Sequence, residues 1–172
     1  MSNRHLARAM AMQCLFEWDF QGQDRSRLDQ MIEHVKKEFG SGLDDEGYLA
    51  AQVKGVVQHI REIDETLEHY APEWLVCEMT NTDRNILRLG AYELLYDQAI
   101  PAKVSINEAI ELGKAFSGDA SGKFINGVLG AIYKKMLAEG KIKEVDKPSS
   151  NLPGEAGPGS AWQPPTSEFP IA

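Results

Sequence analysis

The apolar positions between residues 82 and 129 predict three consecutive helices. In the first, one apolar face of about three turns is formed by Ile86, Leu87, Gly90, Ala91, Leu94 and Leu95. Pro101 is expected to end that helix, and Ser105 with Glu108 forms a capping box that predicts the start of the second. A break from Gly118 to Gly122 precedes the third. Because two of these helices would leave apolar surface uncovered, three are expected to close on one another as a bundle.

Helical spacing continues toward the N-terminus. A first helix is predicted from Arg4 to about Phe20, with Asn3 as its cap. Its apolar stripe consists of Ala7, Met10, Ala11, Cys14, Leu15 and Trp18. A second helix is predicted over about residues 25–38, and the side chains expected to face inward are Leu28, Ile32, Val35 and Phe39.

The longest apolar pattern runs from about Asp44 to Tyr70. At 1.5 Å per residue, one helix of this length would reach about 40 Å and could join two smaller bundles. Pro72 predicts the start of a short helix, and Thr80 to Asp83 supplies a cap for the helix that follows. The sequence therefore predicts an all-α fold of about seven helices, arranged as two small bundles that share the long central helix.

The composition changes after residue 147. The last 25 residues, 148–172, contain six prolines and three glycines, which cannot sustain a helix or a core. We therefore expect one helical domain over residues 1–147, with subbundles of about 1–70 and 71–147. Residues 148–172 are expected to be a disordered tail.

The net charge of −8 is unevenly distributed along the chain. Residues 28–100 hold 15 acidic against 6 basic side chains, whereas residues 1–27 hold 3 against 4 and residues 103–147 hold 6 against 8. An acidic middle with mildly basic flanks suggests separate surfaces for separate partners. An ordinary solvated acidic surface would give the same pattern.

Several function classes have no support in the sequence. No apolar run approaches the roughly 18 residues of a membrane span, so a soluble, cytoplasmic protein is expected. Cys14 and Cys77 are too few for a disulfide framework, and the four histidines form no tight ligand cluster. Phosphate-loop, nucleophile-elbow and dinucleotide-binding motifs are missing. We therefore predict no catalytic activity, no metal and no cofactor.

Two groups of residues are candidates for binding phosphate. Arg4, His5 and Arg8 project from one side of the first two helical turns, although a solvated basic end is an equally simple reading. In the last helix, a strip without bulky side chains runs between two lysines and consists of Lys123, Gly127, Gly130 and Lys134. Close packing of another helix or of a nucleic-acid backbone would explain the strip. Phe124 could stack on a base while Lys123 contacts phosphate.

Longer motifs point to a known family. The runs ILRLGAYELLY, IPAKVSINEAIELGKAF and KFINGVL, in that order, resemble the signature of the transcription antitermination factor NusB family. The segment ARAMAMQCLFEWD resembles the first helix of that family. The resemblance covers about residues 4–140.

The resemblance implies a function and a set of site residues. Proteins of this family pair with the ribosomal protein NusE, bind the boxA segment of nascent RNA and join an RNA polymerase antitermination complex. By this resemblance the RNA-binding residues are Arg4, His5, Arg8, Lys123, Phe124, Asn126 and Lys134. The residues implied to face the protein partner are Phe16, Asp83 and Arg84. His5 and Leu6 stand where the family commonly has further basic residues, which implies a weaker or more partner-dependent grip on RNA.

Two other interpretations remain open from the sequence. Similar helical domains precede ribosomal RNA methyltransferases, but that arrangement requires a Rossmann domain that residues 148–172 cannot supply. The glycine strip could also form a homodimer that masks the RNA surface.

Overall fold

The computed structural model describes residues 3–45 and 47–148, which form seven α-helices and no strand. The helices are α1 Asn3–Phe20, α2 Leu28–Phe39, α3 Tyr48–Gln58, α4 Ile60–Tyr70, α5 Asn81–Leu95, α6 Ala102–Ser117 and α7 Asp119–Ala138. One-turn 3-10 helices occur at Arg25–Arg27, Val76–Glu78 and Glu144–Asp146. The predicted all-α fold with about seven helices is confirmed. Nearly all of the predicted tail, residues 149–172, lies outside the described residues.

Helix α5 lies at the centre of the helix contacts. It contacts α1, α3, α4, α6 and α7. Its buried side chains belong to one continuous core and include Ile86, Leu87, Leu89, Ala91 and Leu94. The division of residues 1–147 into subbundles near residue 70 stays a prediction. None of the helices in the described part of the chain combines the length and apolar character needed to cross a bilayer.

The single helix predicted from Asp44 to Tyr70 is wrong, because two helices occupy this segment. Helix α3 begins only after Gly47, whose φ is +80°, and the chain turns at His59 before α4 begins. At this turn the ring of His59 stacks on the ring of Tyr96, directly after α5, with centroids 4.1 Å apart. Because the apolar pattern continues across the turn, its periodicity gave no sign of the break.

Helix α3 approaches α5 closely at Gly55. A Cβ added to Gly55 would lie 2.1 Å from Cζ of Tyr92, so only glycine lets the tyrosine ring rest against the α3 backbone. This contact explains why a glycine interrupts an otherwise apolar helical pattern.

One of the predicted helix starts is confirmed, and another differs from the structure. Thr80 caps α5, since its side chain accepts a hydrogen bond from the amide of Asp83. Ser105 is not a cap, because α6 already begins at Ala102, directly after Pro101, and Ser105 is buried within the helix. The proline fixes a backbone geometry suited to helix initiation, and this effect outweighs the capping-box pattern.

Other predicted boundaries shift by a few residues. Asn3 is the first residue of α1 rather than its cap, and its side chain donates to the carbonyl of Asp44. Helix α7 already begins at Asp119, so Gly122 lies inside it. Phe39, expected to face inward, is 58% exposed and is the last residue of α2.

A buried lysine ties the segment after α7 to the end of α5. The Nζ of Lys143 donates to the carbonyl oxygens of Glu93, Asp97 and Ile100 at 2.6–2.7 Å. These include carbonyls near the C-terminal end of α5, where a positive charge is favoured. Burial lowers the pKa of Lys143, while the neighbouring Asp97, Asp146 and Glu93 oppose that shift.

Candidate nucleic-acid interface

The first half of α7 presents an aromatic and cationic edge. Lys123 is exposed, and Phe124 is half-buried with one part of its ring against the core. The ring of Trp74 meets that of Phe124 edge to face, with centroids 6.4 Å apart and an interplanar angle of 67°. Lys134 is also exposed and lies on the same helix side, about 16 Å further along the axis.

A polar groove runs beside this edge, between α6 and α7. It is lined by Asn107, Ile110, Glu111, Lys114, Asp119, Gly122, Lys123 and Asn126. The helices lie close together here, because a Cβ on Gly122 would meet Cγ of Lys114 at 2.8 Å. The Oδ1 atom of Asn126 is buried, and no hydrogen-bond partner for it is present in the described residues. An acceptor of this kind gains from a ligand that brings a donor.

The glycine strip of α7 divides into two parts. Gly130 is buried within the protein, so internal packing explains the small residue there. Gly127 is half-buried and lies between the exposed Lys123 and Lys134. Only this part of the strip is available to a partner.

The three basic residues predicted at the start of α1 have different environments. Arg4 is exposed, and its guanidinium lies 5.0 Å from the ring centroid of Tyr48. His5 is half-buried, with Nδ1 hydrogen-bonded to Oε2 of Glu108 on α6. Arg8 is only 4% exposed, so little of its side chain is accessible, and its contact with RNA stays a prediction.

Arg8 is buried because it neutralises a carboxylate in the core. Its Nε lies 2.8 Å from Oε1 of Glu93, and the hydroxyl of Tyr48 donates to the same oxygen. Burial raises the pKa of Glu93, although Arg8 and Tyr48 oppose the shift. Removing one partner of such a pair would leave an uncompensated buried charge, so the role of this arginine is to stabilise the folded structure.

A separate aromatic surface lies at the end of α1. Phe16 is 37% exposed and Phe20 is 77% exposed, and their rings stack with centroids 6.3 Å apart and an interplanar angle of 8°. The side chain of Asn81, at the start of α5, donates a hydrogen bond to the backbone carbonyl of Phe16 and so links α5 to α1. Two adjacent exposed aromatic rings are typical of the central part of a protein–protein contact.

The other two residues implied to face a protein partner are engaged within the chain. Arg84 pairs with Asp19 of α1, and its side chain is 20% exposed. Oδ2 of Asp83 accepts from the hydroxyl of Ser121 in the first turn of α7, at 3.0 Å. Ser121 precedes Phe124 by three residues, so Asp83 is linked to the helix turn that carries the predicted RNA contact.

Two exposed aromatic residues were not identified as candidates from the sequence. Phe20 follows Phe16 by four residues, a spacing that places both rings on one side of a helix and was available as a signal. Trp74 is 50% exposed. Its exposure depends on the turn after α4, which the apolar pattern does not specify.

The described residues contain no group of three or more His, Cys, Asp or Glu side chains arranged to hold a metal ion. Cys14 is buried, as its place on the apolar stripe predicted.

The seven helices of the described residues and the KFINGVL segment on α7 assign the chain to the class of all-helical transcription antitermination proteins. Within this class the chain belongs to the NusB family, because the sequence model of the protein family described as "NusB family" matches residues 5–134. The transcription antitermination protein NusB of Desulfitobacterium hafniense is 37% identical over 134 residues, which cover 78% of this chain and 90% of the relative. The protein of that name from Desulforamulus reducens is 39% identical over 129 residues, covering 75% and 88%.

Solved structures agree with this assignment. A crystal structure of antitermination factors NusB and NusE in complex with double-stranded RNA matches with a TM-score of 0.69 and 30% identity, covering 78% of this chain and 98% of that one. The solution structure of NusB from Aquifex aeolicus matches with a TM-score of 0.68 and 31% identity, covering 87% and 97%.

Proposed function

We propose that this chain acts as a transcription antitermination factor that binds boxA RNA together with the ribosomal protein NusE. The observation that carries the proposal is the α7 edge, where Phe124 offers a ring face between exposed lysines. Single-stranded RNA is commonly bound by stacking of bases on aromatic side chains and by contacts of cations with phosphate. A related complex contains both NusE and RNA.

The RNA surface consists of the exposed members of the predicted set. Lys123, Phe124 and Lys134 contribute from α7, with Asn126 as a hydrogen-bonding group in the adjoining groove. Arg4 contributes from the start of α1. His5 and Arg8 act indirectly, since their contacts with Glu108 and Glu93 hold α1 against α6 and α5.

The protein surface is the Phe16 and Phe20 pair. Affinity for the transcript rises when NusE is bound, because a second protein adds its own RNA contacts within one complex. The complex of this chain with NusE would then join RNA polymerase and suppress premature termination on ribosomal RNA genes. In this role the chain is a binding factor without catalytic activity or cofactor and works in the cytoplasm, with residues 1–147 as the active domain and 148–172 as a tail.

A gel shift with boxA RNA, performed with and without NusE at two salt concentrations, tests the proposal. Phe124→Asp is expected to weaken RNA binding at least tenfold and to leave pairing with NusE intact. Phe20→Asp is expected to weaken pairing with NusE and to leave RNA binding by the chain alone unchanged. A protein that ignores boxA RNA under all four conditions would contradict the proposal.

Phe20 is a better probe of the protein surface than Asp83. A charge reversal at Asp83 would also remove the hydrogen bond to Ser121 and disturb the turn that carries Phe124. Phe39→Asp is a suitable control for both variants, because Phe39 is an exposed aromatic residue outside both surfaces.

A further inference from the structure

An apolar cleft opens beside Phe124, and Lys123 belongs to the lining of both this cleft and the α6–α7 groove. Its volume is about 350 Å³, and its lining combines the turn after α4 with the first half of α7. The lining residues that matter here are Trp74, Phe124, Pro72, Glu73, Lys123 and Val128. Exposed apolar clefts of this kind on a protein surface mark binding sites more often than structural faults.

Trp74 is presented to this cleft by a well-defined turn. The amide of Trp74 donates to the carbonyl of Ala71, which is buried at the end of α4. Just beyond, the amide of Val76 donates to the side chain of Glu68, and that of Leu75 donates to Glu78. The tryptophan is therefore held half-exposed by backbone hydrogen bonds, although an indole of this size would normally be buried.

The chemistry of the cleft favours a flat aromatic ligand that carries a negative charge. The rings of Trp74 and Phe124 are inclined at 67° to each other, so a planar ring can stack on one and contact the edge of the other. Lys123 lies on the rim and attracts an anion. Glu73 is the single carboxylate among the lining residues and can accept a hydrogen bond from an amino group. A nucleobase with its phosphate has all three properties.

We propose that this cleft holds one unpaired nucleobase of the bound RNA, with Trp74 and Phe124 as its aromatic walls and Lys123 on the adjacent phosphate. The inference rests on the proposed function and adds to it a nucleotide site and an RNA-binding residue, Trp74. The cleft lies next to the α7 edge. An RNA strand whose phosphates contact Lys134 and Lys123 can therefore place its next base in the cleft while it stays bound along α7.

Tryptophan fluorescence tests the site directly. Trp18 is 1% exposed and inaccessible to a ligand, so in a Trp162→Phe protein any quenching by RNA reports on Trp74. The probe is boxA RNA, titrated into that protein with and without NusE. Quenching is expected to saturate at the same RNA concentration as the gel shift.

Substitutions give a second, independent measurement. Trp74→Ala is expected to lower the affinity for boxA RNA about tenfold, whereas Trp74→Phe, which keeps a stacking ring, is expected to lower it less than threefold. Leu75→Ala is the matched control, because Leu75 is 52% exposed, adjacent in the chain and outside the cleft. Circular dichroism of each variant establishes that the helices are intact.

The outcomes separate this inference from the proposed function. RNA binding without quenching, together with wild-type affinity in Trp74→Ala, would overturn the nucleotide site and leave the proposed function standing. Loss of NusE pairing in Trp74→Ala, with unchanged RNA affinity of the chain alone, would assign the cleft to a protein and also overturn the site. If the wild-type chain binds no boxA RNA in any condition, the proposed function is contradicted, and the nucleotide site, which rests on it, is contradicted with it. Should Trp74→Ala not fold, the quenching result in the Trp162→Phe protein decides.

Discussion

Asp19 is the side chain that joins the end of α1 to α5. Its carboxylate accepts hydrogen bonds from Gln23, Arg84 and Asn85, and Nη1 of Arg88 lies 2.9 Å from Oδ2. Burial disfavours the charged carboxylate, yet these hydrogen bonds and the charge of Arg88 hold the pKa of Asp19 below its ordinary value. Arg88 also pairs with Asp64 of α4 through two hydrogen bonds.

Asp19→Asn is expected to lower the free energy of unfolding by about 3 kcal/mol at pH 7, because Arg84 loses its carboxylate partner and the buried Arg88 keeps only that of Asp64. A carboxyl group whose folded-state pKa is depressed contributes stability above its unfolded pKa of about 3.9 and loses it as the pH falls through the folded value. The difference between wild type and variant should therefore shrink below about pH 4. Urea unfolding at pH 7 and pH 3.5 measures both quantities.

Asp29→Asn is the control for this prediction. Asp29 also forms an ion pair, with Lys54, but its side chain is 80% exposed, so its loss should cost less than about 1 kcal/mol. Equal effects of the two substitutions at pH 7 would contradict the structural role of Asp19.

At the scale of helices, the contact between α3 and α5 depends on one missing side chain. Gly55→Ala would displace the ring of Tyr92 and is expected to destabilise the protein by about 1–2 kcal/mol, since overpacking outweighs the gain in helix propensity. In a Tyr92→Ala background the same change should stabilise by up to about 1 kcal/mol, because the clash is gone and the propensity gain remains. Chemical denaturation of the four proteins in this cycle checks the reversal of sign.

Lys143 makes a similar contribution to the segment after α7. Lys143→Met is expected to cost about 3 kcal/mol, because three carbonyl oxygens lose a charged donor. Hydrogen exchange should increase at the amide of Ala102, which donates to Asp146 in the same segment. Lys141→Met serves as the control: Lys141 is exposed, and its substitution should change stability by less than about 0.5 kcal/mol.

For the molecule as a whole, the number of exposed cations limits its attraction to RNA. Arg8 pairs with Glu93 in the core, which leaves Arg4, Lys123 and Lys134 as the exposed cations of the proposed RNA surface. With three phosphate contacts on single-stranded RNA, a plot of log affinity against log salt should have a slope of about −2 for the chain alone. Filter binding at several salt concentrations gives this slope, and a value steeper than about −4 would show that cations outside this surface take part.

The sequence predicted the helices well, because their apolar faces repeat with helical period over several turns. It failed where a tertiary contact decides the outcome. The turn at His59 interrupts a pattern that continues unchanged on both sides, and the stacking partner Tyr96 is 37 residues away in the chain. The start of α6 was misplaced because a capping-box pattern competed with Pro101.

The candidate site was predicted in the same uneven way. Lys123 and Phe124 are accessible, as their local spacing suggested, whereas Arg8 is neutralised by a carboxylate 85 residues further along the chain. Trp74 was not predicted, because large aromatic residues are usually buried and only the turn between α4 and α5 shows that this one is exposed. Charge and hydrophobicity therefore located the edge on α7, while the packing decided which of its neighbours are available.

The anchoring of Lys143 also has a practical consequence for shortened versions of this chain. A truncation placed after residue 148 keeps the ammonium group and the Asp146 carboxylate that holds the start of α6. A cut at the end of α7, where the regular helix stops, would remove both and expose the end of α5. Affinity tags and fluorescent fusions at the C-terminus should for the same reason begin beyond residue 148.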